Sequence, residues 1–228
     1  MKNSLRFIRT LLTRSRSSIV IGIIFTVLGL GLIIISALLA DPMGESDYLI
    51  SVSGTSMGYS LIYMFSIFSL VYFNTRFFHS SPLSEQIMTV TVPWITFFIS
   101  LIITLIAILF QFIALSVGIV MPQRLSDLML LCAYSVFVGQ LSSGFWGLRG
   151  GLLCAYSSCL PFVVIIFSEM LSTSEITPTV FTNGFGAPTH ISAIILIAAF
   201  IISVPLSLFF AKGSYKKRSS SLMNVSLG

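Results

Sequence analysis

Residues 18–40 read SIVIGIIFTVLGLGLIIISALLA, a run without one charged side chain. A hydrocarbon layer about 30 Å thick takes roughly 20 residues of helix to cross, so this run is long enough to span it. Helix is the required form, because lipid offers no partner to an unpaired backbone N–H or C=O, and the length is too great for a barrel strand. Comparable apolar runs recur at 56–75, 94–120, 128–147, 152–171 and 191–211. The expected fold is therefore all-α: one transmembrane domain over residues 1–211 with six spans, followed by a basic, flexible tail at 212–228.

Composition agrees with that count. Of the 228 residues 56% are hydrophobic and only 8% charged, and the mean hydropathy is +1.03. That is more apolar surface than a soluble core of this size could hide. The formal charge of +5 comes from 12 Lys and Arg against 7 Asp and Glu, and these lie mainly in the gaps between apolar runs. Such placement orients a membrane protein; it is not the pattern of a nucleic-acid binder. With the N-terminus inside, Lys2, Arg6, Arg9, Arg14, Arg16, Arg76, Arg149, Lys212, Lys216, Lys217 and Arg218 all fall on the cytoplasmic side, leaving only Arg124 outside. Asp41, Glu45, Asp47, Asp127 and Glu175 then lie outside, and Trp94 and Trp146 mark the inner interface. Both termini are expected in the cytoplasm.

The first run is too long for the core of a cleavable signal, and no clear small-residue cleavage pattern follows it. Ahead of it, residues of about 3–16 place Leu5, Ile8 and Leu12 on one side of a helical wheel and Arg6, Arg9 and Arg16 largely on another. This is the pattern of an interfacial helix lying in the headgroup plane; a plain basic flank is the alternative. Gly22, Gly29 and Gly31 would let the first span approach a neighbour closely. Pro161 and Pro205 would kink the fifth and sixth. Cys132, Cys154 and Cys159 lie within spans with no metal-ligand spacing, and so read as small packing residues.

Several chemistries are excluded by what the motifs lack. There is no GxxxxGK[ST] phosphate loop, no HExxH and no GxSxG. His79 and His190 are expected on opposite sides of the membrane, and no carboxylates pair within a span. The chain is not expected to be an enzyme or to hold a cofactor or metal. Ion-coupled carriage usually needs an ionisable or oxygen-lined site near the midplane, and the midplane here has no charge: Glu169 sits near an outer span end and Arg149 in a short inner turn. Gln111, Tyr134, Gln140 and Tyr156 remain as polar residues within spans, and could either line a substrate path or bond helix to helix.

Between the second and third spans lies FNTRFFHSSPLSEQIMTVTVPW, residues 73–94. Ser81 followed by Pro82 is a helix-start pattern, and Glu85 falls in the first turn, where it favours the helix dipole. Leu83 and Ile87 share a face, and Pro93 would end the short helix before the third span opens at Trp94. Residues 76–93 are thus expected to form an amphipathic elbow crosswise to the spans, either a lever or an ordinary connection.

Six spans, inner termini, a basic amphipathic start, the Arg76…Ser81-Pro82-Leu83-Ser84 segment and a long outer segment before the last span together resemble the permeases of the type-two exporter family of ATP-binding-cassette transporters. The resemblance implies a paired permease, here a homodimer, working with a separate ATPase subunit that binds ATP and Mg. It implies that Arg6, Arg9, His79, Ser81, Leu83, Ser84, Glu85 and Ile87 meet that ATPase. It also implies that residues 172–190, STSEITPTVFTNGFGAPTH, cap the outer exit with short helices or a re-entrant turn. With no charge cluster along the expected path, the cargo would be hydrophobic or amphipathic, with a toxin or antimicrobial peptide ahead of drugs or lipid-linked glycans. The site would be a bacterial plasma membrane. A non-transporting scaffold or assembly factor, or a passive channel, is the competing reading.

Overall fold

In the computed structural model the described residues are 16–38, 54–55, 57–59, 83–118, 122–145, 185 and 187–224. Among them every regular element is a helix, with no strand. We number the helices α1 (Arg16–Leu38), α2 (Ser84–Ser116), α3 (Pro122–Gly144) and α4 (Thr189–Asn224). α2, α3 and α4 are each long and apolar enough to cross a membrane, and α1 holds a shorter apolar stretch, Ile19–Ile35. The chain is a helical membrane protein. Of the expected second span only 57–59 are described; the fifth span, residues 3–15 of the expected interfacial helix and the outer segment up to 184 lie outside the described residues.

Helix directions follow from side-chain pairs. Ser126 and Ser143 of α3 bond Ser192 and Ser207 of α4, so these two helices run parallel. Ser84 and Phe97 of α2 meet Tyr215 and Phe200 of α4, so α2 runs against both. One end of the bundle thus carries Ser84, Gly144 and Tyr215 beside the exposed Lys212, Lys216 and Lys217; it is called the basic end below. The opposite end carries Asp127 and Ser192.

α3 is the central helix: 67% of its spanning window is buried, against 17% for α4. That position explains its sequence. A helix facing lipid all round must be apolar, whereas one facing other helices can carry small polar residues whose hydroxyls find partners. Ser126, Ser135, Ser142, Ser143, Gly139 and Gly144 of α3 are all buried. The lipid-facing sides are different in kind: Phe98, Ile102, Leu105 and Leu109 of α2, and Ile194, Ile197 and Ile201 of α4, are exposed. A core of Ile33, Tyr59, Ile103, Leu128, Cys132, Val136 and Leu196 joins all four helices. The Tyr59 hydroxyl bonds Thr104 at its centre.

Two expectations are corrected. Pro93 does not end a short crosswise helix, because residues 84–116 form one continuous helix. The device that permits this is a π turn at Ile87–Thr91. Proline has no N–H, and its ring presses on the carbonyl four residues back. The wider turn, in which Val92 N–H reaches Ile87 O, relieves that crowding by inserting one extra residue. Thr89 Oγ donates to Glu85 O at 2.8 Å and Thr91 Oγ to Gln86 O at 3.2 Å, which satisfies carbonyls that the wider turn displaces. The second correction concerns 212–228: α4 passes through Pro205 and continues to Asn224. Lys and Arg are good helix formers, and Tyr215 ties this extension to α2.

α3 also begins earlier than expected, at Pro122, which places Arg124 and Asp127 on the helix instead of in a loop. The expected close approach by the first span is made at Gly29. A methyl there would lie 2.6 Å from Gly54 O and would also run into the Gly58 backbone, whereas Gly31 has nothing within 4 Å. Gly29→Ala should therefore lower stability by about 1–3 kcal/mol through forced separation of the backbones. Gly31→Ala should raise it by up to about 1 kcal/mol through helix propensity. Thermal unfolding of the two variants in detergent, compared with wild type, checks the contrast.

Candidate functional site

Of the residues expected to couple with a partner, Leu83, Ser84, Glu85 and Ile87 lie at the basic end. A helix of 33 residues is about 50 Å long and one of 36 about 54 Å, yet a hydrocarbon core of about 30 Å uses only some 20 residues of each. Both excesses lie at the basic end. Trp94 marks the boundary on α2, exposed and packed edge-on against Phe97, as an interfacial tryptophan should be. From there the ten residues back to Ser84, and the residues of α4 beyond Ala211, run side by side as a two-helix stalk.

The stalk is packed as tightly as the core. Ile87, Met88 and Val92 are at most 1% exposed, and Ala211 is fully buried. At its tip the Ser84 and Tyr215 hydroxyls bond at 2.9 Å. Ser84 is buried, Leu83 is half-buried in the preceding turn, and Glu85 and Gln86 point outward. Of the residues expected to meet an ATPase, the structure therefore offers Glu85 as an outward-facing group, while Ser84 and Ile87 are spent on holding the stalk together. Arg6, Arg9, His79 and Ser81 lie outside the described residues.

The polar residues within the spans are not gathered into one site. Gln111 is buried toward the Ser116 end of α2, Tyr134 is half-buried midway along α3, and Gln140 is fully buried one turn from the basic end of α3. Tyr156 lies outside the described residues. Gln140 differs from its neighbours in that neither its Oε1 nor its Nε2 has a hydrogen-bond partner. Beside it the contact with α4 is close: Ser143 donates to Gln140 O at 2.7 Å and pairs with the Ser207 hydroxyl at 3.3 Å. A methyl on Gly144 would lie 2.7 Å from Ser207 O. Phe145 and Phe210 stack just beyond, with ring centroids 4.5 Å apart.

The far end is latched differently. Ser126 donates to Ala187 O at 2.6 Å and accepts from Ser192, and the Asp127 carboxylate accepts the Phe185 N–H at 3.0 Å. The chain leading into α4 is thereby clipped to α3. Sequence reasoning did not find Tyr215, Ser126, Asp127 or Ser192 as structural partners. Gly54 and Gly58, four residues apart, carried a visible helix-approach signal. No group of three or more His, Cys, Asp or Glu that could hold a metal ion occurs among the described residues.

The chain matches no family model, no curated protein and no solved structure.

The Ser84–Tyr215 bond should be measurable by a double-mutant cycle. Ser84→Ala and Tyr215→Phe should each lower stability, and the pair should show a coupling of about 0.5–1.5 kcal/mol in denaturant unfolding. Strict additivity would mean that the stalk's tip is not closed by this contact.

Proposed function

We propose that the chain is the transmembrane permease subunit of an ATP-driven exporter resembling the type-two family of ATP-binding-cassette transporters. It has six spans, both termini in the cytoplasm, and works as a homodimer with a separate ATPase subunit that binds ATP and Mg. Its cargo is hydrophobic or amphipathic, a peptide such as a toxin or antimicrobial peptide, moved outward across a bacterial plasma membrane.

The observation that carries this reading is the two-helix stalk. A machine with no charge in its membrane interior must draw its energy from elsewhere, and helices move as stiff units. Because α2 is continuous from Ser84 to Ser116, a push on Glu85 and Gln86 is delivered directly into a membrane-spanning helix. A crosswise elbow would need a joint to do this; the coaxial stalk passes displacement along its own axis. Lys212, Lys216 and Lys217 on the adjacent helix add positive charge to the same surface, so that the stalk presents both signs to a partner. Arg6, Arg9, His79 and Ser81 complete the surface in this proposal, and the Asp127 end faces outward.

Co-purification from the source cell with a phosphate-loop ATPase, and stimulation of that ATPase by the reconstituted permease, is the expected outcome. Absence of both, with every ATPase encoded beside the chain tested, would leave a scaffold as the better reading. Charge reversal at the exposed position, Glu85→Lys, should reduce the stimulation about fivefold or more, the size of a lost charged interface contact of 1 kcal/mol or slightly above. Thermal unfolding should remain unchanged. Substituting the buried Ile87 would instead damage the stalk, and so would not separate coupling from folding.

A further inference from the structure

We propose that Gln140 is a cargo-binding residue, a hydrogen-bonding station for the backbone amide of a peptide, enclosed between α3 and α4 behind the Phe145–Phe210 stack. This rests on the exporter reading and names the chemistry its path recognises.

Gln140 is 0% exposed and both of its amide atoms are without partners. A buried polar group left unsatisfied costs about 1–3 kcal/mol, and leucine, of similar size, would carry no such cost. Packing therefore does not account for a glutamine here. Its direction follows from helical spacing: Ser143 and Gly144, three and four residues further on, both meet Ser207 of α4. Because α3 and α4 run parallel, one turn back along each places Gln140 level with Ser203, which is also fully buried. The adjoining positions Gly139, Ser143 and Ser207 are small. Separation of the two helices would thus open a groove with little side chain in it and one unpaired amide in its wall.

On the basic side of Gln140, α3 and α4 are joined by the close approach of Gly144 to the Ser207 backbone, one hydroxyl pair at 3.3 Å and one ring stack, none of which would leave a charge unpaired on parting. The chemistry of the station selects its ligand. A primary amide offers one carbonyl acceptor and two N–H donors, the complement of a peptide unit's N–H and C=O. A cation would call for carboxylates or a cage of oxygens, and an anionic cargo for Lys or Arg; the described residues at this level of α3 and α4 supply neither.

The test uses the full-length chain in lipid nanodiscs without ATPase, so that failure here and failure to associate with an ATPase are separate results. The probes are a dansylated, capped tetraleucine amide and its depsipeptide analogue, in which backbone amides are replaced by esters. Wild type should bind the amide roughly tenfold more tightly than the ester, the effect of about one hydrogen bond. Q140L should bind both within twofold of each other and unfold at a higher temperature, which rules out simple misfolding. Q140N, keeping the amide on a shorter arm, should retain part of the preference. A wild type that binds neither probe or does not discriminate, or a Q140L chain that still prefers the amide, overturns the proposal.

Discussion

Inside a bilayer a hydroxyl has no water to fall back on, so each polar side chain in the bundle must find a partner on its own helix or the next. That constraint decides the architecture. α3, whose four serines are all buried, is placed in the middle, where Ser126 and Ser143 can each bond α4 and Cys132 packs beside Tyr59. Thr96 and Ser100 of α2 satisfy themselves on the carbonyls four residues back and so place no demand on a neighbour. The outer helices are left to supply the isoleucines and phenylalanines that lipid requires. The order of the layers follows from where the polar atoms can be satisfied.

Against this background two places stand out, because they depart from the rule in opposite ways. At the π turn, the carbonyls of Glu85 and Gln86 are met by threonine hydroxyls, so the wider turn that accommodates Pro93 is made tolerable within a continuous helix. At Gln140 the polar atoms are left unmet, although an apolar residue would fit. The first departure keeps a stiff element intact; the second keeps a reactive surface hidden. Rigidity in the stalk and latent hydrogen-bonding capacity between α3 and α4 are complementary properties in the proposed exporter.

Much of this was legible from the chain. Length and apolarity were enough to expect helices over 18–40, 94–120, 128–147 and 191–211, and the described helices cover those runs apart from a few residues at their edges. Gly29 was legible as a point of close approach, because small residues between helices have few other uses. Pro93 misled. Read alone, a proline just before a tryptophan-led apolar run ends a helix, and the compensation by Thr89 and Thr91 depends on a turn type that periodicity does not reveal. The continuation of α4 past Ala211 was hidden for a different reason: charge marked the end of the membrane but said nothing about the end of the helix. The pairs Ser84–Tyr215 and Ser126–Ser192 join residues far apart in sequence, and no local signal could have foretold them.

The π turn has one more effect. Each residue of an α-helix advances the chain by about 100° around its axis, so one surplus residue between Glu85 and Trp94 sets the angular phase between the stalk and the span it continues into. Lateral rows of side chains on the two segments are thereby offset, and a small slackening or tightening of this single coil would convert an axial thrust into a twist. The bundle thus contains, in five residues, the element of a screw.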